Sequence, residues 1–218
     1  MTTKYYTLVP LYKRFLSYVY PVMVNKLEGA LSVRLFLFRD QFQLATHDAI
    51  YSDGDRYSPA IAIANNLKIF LPTMKNVLML GSGLGSMVQI LHNRGFHPLF
   101  TLVEKDRVVL QLSMEIFGVK EFIGIAPVWN DALTFMEQNL EKFDFIFVDI
   151  FDSRVVPAFV TTEEFLNLCQ KNLKPGGHLA VNYMINYKPD WKIVKQLFTD
   201  IFVNHKELNL GRNRIFIV

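Results

Sequence analysis

The chain has 218 residues, 51% of them hydrophobic, and a formal net charge of +3. That is enough apolar material for one sizeable core with a small appended module, and it excludes a disordered chain. The lysines and arginines are scattered and the charge is small, so no nucleic-acid partner is expected. Cys169 is the single cysteine, which excludes an internal disulfide and a cysteine-rich zinc site; no metal is expected, and a reducing compartment is compatible.

Phe15 to Val24 (FLSYVYPVMV) is apolar and follows Lys13 and Arg14. A signal peptide would share part of this pattern, but Pro21 breaks the run and no small-residue cleavage pattern follows. At about ten residues it falls well short of the roughly twenty needed to span a bilayer. It is expected to be a buried or docking segment. Ala30 to Phe38 and Gln41 to Thr46 then read as two strands joined at Arg39-Asp40, a β-hairpin, with Leu31, Val33, Leu35 and Leu37 on one face by period two. His47 to Pro59 reads as a loop and Ala60 to Phe70 as a helix closed by Pro72.

From Asn76 the pattern becomes regular. Apolar runs at Val77–Gly81, Leu99–Val103, Phe122–Val128, Phe143–Ile150 and His178–Tyr183 read as strands. Helices are expected at Leu84–Asn93 and Asp106–Phe117, and after Asp131 with Ala132, Phe135, Met136 and Leu140 at helical spacing. Two more are expected at Thr161–Leu173, capped by Thr161 or Thr162, and at Asp190–Phe202. The stretch Lys174 to Gly177 (KPGG) punctuates before the fifth strand. Lys206–Leu210 and Arg214–Val218 flank a Gly211–Asn213 turn. Long apolar strands alternating with helices predict a parallel sheet covered on both faces, here ending in an antiparallel hairpin. The expected organisation is an N-terminal module over residues 1–58 and an α/β domain over 59–218.

Three constellations carry chemistry. Gly81, Gly83 and Gly85 follow the first strand of that domain, where glycine permits a tight turn and close approach of a ligand to the backbone; tight packing alone is the alternative. Glu104 ends the next strand about twenty residues on, where an acid can accept both ribose hydroxyl hydrogens; the alternative is a surface cap for the following helix. Ser86 stands where a dinucleotide fingerprint wants its third glycine, so a mononucleotide-type ligand is favoured over NAD. Asn130-Asp131 follows the third strand, where Asp131 suits either an adenine amine or a helix N-cap. Asp149 ends the fourth strand, with Asp152 three residues on. Two carboxylates in the crevice outside the strand ends suit proton abstraction or grip on a cation; a solvated turn is the alternative.

The segments GSGLGS, LVEKD, WNDA, FDFIFVDIFD and LKPGGHLAVN, in this order and spacing, resemble the class I S-adenosylmethionine-dependent methyltransferase fold, and within it the spermidine-synthase-like branch. The resemblance covers Tyr51 to Val218. It implies a Rossmann-like sandwich that holds S-adenosylmethionine or its decarboxylated form. The residues it implies at the cofactor are Gly81, Ser82, Gly83, Gly85, Glu104, Lys105, Asn130, Asp131 and Ala132. Asp149 matches the acid that deprotonates the attacking amine in polyamine aminopropyltransferases, Asp152 a second acid near it, and Tyr57 a tyrosine at the mouth of the site; ordinary packing is the alternative for Tyr57.

The departures weigh against spermidine synthesis. Leu84 stands where aminopropyltransferases carry an Asp, and Ser58-Pro59 stand where they carry Gln or His and then Glu. These changes remove polar groups that a dicationic amine needs. The expectation is therefore a cytoplasmic S-adenosylmethionine-dependent methyltransferase acting on a small-molecule acceptor, an amine being one type, with a homodimer as one way to cover the apolar N-terminal segment. The alternatives are a polyamine aminopropyltransferase and a non-catalytic cofactor-binding protein. The last gains weight if Phe151 or the Tyr6–Tyr20 segment fills the acceptor site.

Overall fold

The computed structural model describes residues 9–26, 33–47, 49–119, 121–186 and 188–218. A short helix α1 (Leu11–Ser17) leads into a four-stranded antiparallel sheet of β1 (Val22–Lys26), β2 (Arg34–Phe38), β3 (Gln41–Ala45) and β4 (Ile50–Ser52), in that order. The expected hairpin is β2–β3. Arg39 and Asp40 turn it with φ of 50° and 59°, the positive angles that a two-residue turn needs to match strand twist. Val33, Leu35 and Leu37 are all buried on one face as the alternation predicts, while Leu31 lies outside the described residues.

Two strands extend the hairpin beyond the expectation. The apolar run after Pro21 pairs as β1 along β2, and the expected loop at 47–59 contains β4, a single 3-10 turn at Gly54–Arg56, and the first residues of α2 (Ser58–Asn66). Of the Phe15–Val24 segment Ser17 and Val22 are buried, but most of its apolar side chains are not. Phe15 is 74% exposed and Val19 79%. The polar side chains of α1 set this orientation. Arg14 donates to both Asp40 carboxylate oxygens at 3.0 and 3.2 Å, and Ser17 is buried with its Oγ accepting from the Asp40 N–H. The helix thus turns its polar side to the hairpin and its apolar side outward.

The second sheet has seven strands: β5 (Asn76–Leu80), β6 (Leu99–Glu104), β7 (Ile125–Trp129), β8 (Phe143–Val148), β9 (Leu173–Met184), β10 (Lys206–Leu210) and β11 (Asn213–Ile217). Their spatial order is β10-β11-β9-β8-β5-β6-β7. β5 to β9 are parallel, and β11 and β10 close the sheet antiparallel, the architecture the sequence predicts. The helices are α3 (Ser86–Asn93), α4 (Arg107–Val119), α5 (Ala132–Gln138), α6 (Glu163–Asn172) and α7 (Lys188–Ile201). Alternate residues of β5 and β8 enter opposite cores. Val77, Met79, Phe145 and Phe147 pack with α2 and α3; Leu78, Leu80, Ile146 and Val148 pack with α5, α6 and α7. A third cluster joins Leu35, Leu37 and Leu44 of the small sheet to Leu84 and to Val109, Leu112 and Ile116 of α4.

Two local expectations are corrected. Leu140 is 94% exposed, because α5 ends at Gln138 and Asn139 takes an extended conformation. KPGG lies inside β9 rather than before it: a register shift against β8 absorbs it, with Gly176 at φ +74° and Gly177 pressed against backbone carbonyls of Phe143 and Asp144. The cap of α6 is Thr162, one of the two expected, and it accepts from the Phe165 N–H. Among the described residues, no helix is long and apolar enough to cross a membrane.

Candidate active site

The chain runs β5, β6, β7 to one side of β5 and then places β8 on the other. This reversal opens a crevice at the carboxyl ends of β5 and β8, where open α/β sheets bind ligands. Gly81 sits at its base with φ +81°, and a Cβ there would collide with the Asp149 carbonyl. A glycine is therefore required for the two strand ends to close up.

The cleft encloses about 940 Å³, open mouth included, within the range of small-molecule sites. Its walls are Gly81 and Gly83 after β5, Val103 to Asp106 after β6, Asn130 to Ala132 after β7, and Asp149 to Asp152 after β8. Val33, Leu44 and Tyr51 of the small sheet form its roof. Seven of the nine residues expected at the cofactor thus line one cleft. Ser82 and Gly85 do not: Ser82 is buried, and Gly85 adopts φ +68° to start α3 with its Cα against the Phe117 ring.

Glu104 is held by two backbone donors. The Gly83 N–H reaches Oε2 at 3.2 Å and the Asp106 N–H reaches Oε1 at 3.1 Å. Burial pushes its carboxyl above the usual range, and these two N–H groups act against that rise. Asp106, buried beside it, caps α4 through Oδ1, while its buried Oδ2 has no hydrogen-bond partner. Asp131 Oδ1 accepts from Leu133 and Thr134 N–H groups, so it is an N-cap that also faces the cleft. A cleft with a ribose-height carboxylate, a buried acid atom without a partner and a glycine-lined floor fits an adenosyl group. Among the described residues there is no group of three or more histidine, cysteine or acidic side chains placed to hold a metal ion.

Asp149 lines the cleft just past the end of β8. The Tyr57 hydroxyl donates to Oδ1 at 3.2 Å and Asn182 Nδ2 donates to the same atom at 2.8 Å. Asn213 Nδ2 donates to the Asn182 side-chain Oδ1 at 2.9 Å. Burial raises the Asp149 carboxyl to about 7, with the Asn182 and Tyr57 hydrogen bonds pulling the other way. Burial and the adjacent Asp149 also push the Tyr57 hydroxyl well above its ordinary value, so it remains a donor. A carboxylate poised near neutrality suits a general base. Asp152 is exposed on the cleft rim in a tight turn, exchanging backbone hydrogen bonds with Val155.

Sequence reasoning missed Asn182, Asn213, Tyr51 and Asp106. Asn182 carried a signal: a lone amide within an apolar strand, which burial makes costly unless it is paired. Tyr51 and Phe151 line both this cleft and a second cavity beside it, bounded also by Ala49, Ile50, Asp53, Arg56, Tyr57, Ser58, Pro59, Ser153, Met184 and Asn213. Phe151 forms a shared wall rather than filling either space, and described residues 9–20 line neither. Tyr6 lies outside the described residues.

An N-terminal histidine N-methyltransferase of Emericella nidulans is 29% identical over 113 residues, covering 50% of this chain and 20% of that protein. A polyamine aminopropyltransferase of Vibrio vulnificus is 26% identical over 129 residues, covering 58% of this chain and 43% of that one. The chain therefore spans less than half the length of these two curated relatives. The crystal structure of a probable spermidine synthase from Corynebacterium glutamicum superposes with a TM-score of 0.73 at 20% identity, over 88% of this chain and 78% of that one, which shows a shared fold. The sequence model of the spermine/spermidine synthase domain matches residues 59–207, more than half of the chain, and the protein belongs to that family.

Proposed function

We propose that the protein is an S-adenosylmethionine-dependent methyltransferase built on the spermidine-synthase fold. The observation that carries the choice of methyl over aminopropyl transfer is Leu84. It is fully buried in the apolar cluster under the small sheet, at the position where the resemblance puts the acid that grips an aminopropyl ammonium. When bound, the cofactor supplies a methyl group on a sulfonium: the methyl–sulfur bond breaks as the acceptor's bond to that carbon forms, and the electron pair stays on sulfur.

The chain's own groups bind, orient and take up a proton. Glu104 accepts from the ribose hydroxyls, pre-set by its two backbone donors. Asp131 and Asp106 lie on the same cleft wall, where a base amine finds an acceptor. Asp149, with Tyr57 and Asn182 fixing Oδ1, takes the proton that the acceptor releases. Positioning of this kind supplies most of the acceleration in a simple displacement.

One observation favours the second reading, aminopropyl transfer: Asp149, at the position the resemblance assigns to amine deprotonation, is hydrogen-bonded by Tyr57, the tyrosine the resemblance puts at the mouth of the site. Calorimetric titration with S-adenosylmethionine and decarboxylated S-adenosylmethionine separates the two. Tighter binding of the carboxylate-bearing form supports methyl transfer, and preference for the decarboxylated form contradicts it.

A further inference from the structure

The second cavity has a composition that bears on the acceptor. It encloses about 630 Å³, open mouth included, and meets the first cavity at Tyr51 and Phe151. Tyr57 lines it and donates its hydroxyl to Asp149, so an acceptor lying there has its reactive end at the base. Asp53 is the one carboxylate among the described lining residues, and its charge is already paired through Oδ1. Arg56 Nη2 pairs with Asp53 Oδ1 at 2.8 Å, and Gln43 Nε2 donates to the same atom at 2.7 Å. The rest of the wall is Ile50, Tyr51, Pro59, Phe151 and Met184, with the Ser58, Ser153 and Asn213 side chains as neutral polar points.

An aliphatic diamine reaches such a site with both nitrogens protonated, because ammonium groups of this kind titrate near pH 10. One can meet Asp149, but the other would leave water with only the Arg56-paired Asp53 among the described lining residues to receive it, and a cation without a free partner is strongly disfavoured away from water. Asp149 near neutrality also matches a nucleophile that arrives already uncharged.

Resting on the methyltransferase reading, we infer that the acceptor is a small uncharged molecule with an apolar or aromatic body and one N–H or O–H nucleophile, held in this second cavity. The body lies against Phe151 and Met184, the nucleophile meets Tyr57 and Asp149, and Asp149 takes its proton as the new bond to carbon forms.

The test is calorimetric binding at pH 7.5 of catechol, 4-methylaniline and putrescine, with and without saturating S-adenosylhomocysteine. At least one neutral probe is expected to bind at least about tenfold tighter than putrescine, a difference of about 1.4 kcal/mol. Met184→Arg fills the second cavity only, and is expected to weaken the neutral probe by about tenfold or more while S-adenosylhomocysteine affinity stays within about threefold. Met184→Glu supplies the missing carboxylate and is expected to strengthen putrescine. Putrescine binding as tight as both neutral probes, or no binding by either neutral probe, or a neutral probe indifferent to Met184→Arg, overturns the inference. Failure of S-adenosylhomocysteine to bind overturns the methyltransferase reading instead, and the titrations without it still compare the acceptors.

Discussion

Asp149 shows how one buried carboxyl couples stability to chemistry. Its pKa is raised to about 7 by burial. Between an ordinary carboxyl pKa of about 3.9 and 7, the unfolded chain has released this proton and the folded chain retains it. The group's contribution to stability is therefore full below about pH 4 and is lost as pH rises toward 7. On the proposed mechanism activity runs the other way, because there the Asp149 carboxylate acts as the base. The rate is expected to climb through about pH 7 in a pH–rate profile. Asp149→Asn keeps an acceptor for Tyr57 and Asn182 and abolishes the titration. Its rate should fall about 100-fold or more, while its melting temperature at pH 8 exceeds that of the wild type. A variant that melts lower at pH 8 would contradict the burial cost assigned here. Glu104→Ala removes the acceptor of two backbone N–H groups and, on the proposed reading, of the ribose hydroxyls. Adenosyl ligands should bind it about tenfold to a hundredfold more weakly, measured by calorimetry. Both acids were legible in the sequence from their places after apolar strands. The Tyr57 and Asn182 contacts that tune Asp149 were not, because they join residues 92 and 33 positions away along the chain.

At the scale of elements, the buried strands announced themselves and the short ones did not. β5 and β8 are apolar on both faces, so their runs stand out. β4 has three residues within a polar stretch, and β1 follows Pro21 inside a run that also holds α1; neither is long enough to show a period. Leu140 fitted a helical spacing that Asn139 had already ended, an outcome decided by backbone conformation rather than by hydrophobic pattern. The junction of β5 and β8 offers a direct test of why its glycine is there. Gly81→Ala combines positive φ with a collision against the Asp149 carbonyl. It should cost about 2 kcal/mol or more, read by chemical denaturation, and displace the base. An alanine variant of unchanged stability and activity would show that the strand ends do not close as described.

The molecule as a whole builds its cleft from both sheets: the seven-stranded sheet supplies the polar floor and Val33, Leu44 and Tyr51 supply an apolar roof. A ligand bound there stabilises the folded state of both. At about one hundred times its Kd it contributes about 2.7 kcal/mol, which for a chain of this size is a melting shift of roughly 5 to 11 °C. The same architecture explains what the sequence showed of the fold and what it hid. Strand–helix alternation dictates the sandwich and the place of the crevice. The roof depends on which face of a small antiparallel sheet meets α4, a tertiary choice that no local pattern encodes. The outward turn of α1 is hidden for a similar reason, since it follows from Arg14 finding Asp40 across the hairpin.

The measurement that bears most directly on this account is calorimetric titration of the protein with S-adenosylmethionine and with decarboxylated S-adenosylmethionine, repeated on Glu104→Ala. The account predicts that S-adenosylmethionine binds more tightly than the decarboxylated form and that its binding is lost or greatly weakened in the variant. Preference for the decarboxylated form, or binding indifferent to Glu104, would contradict it.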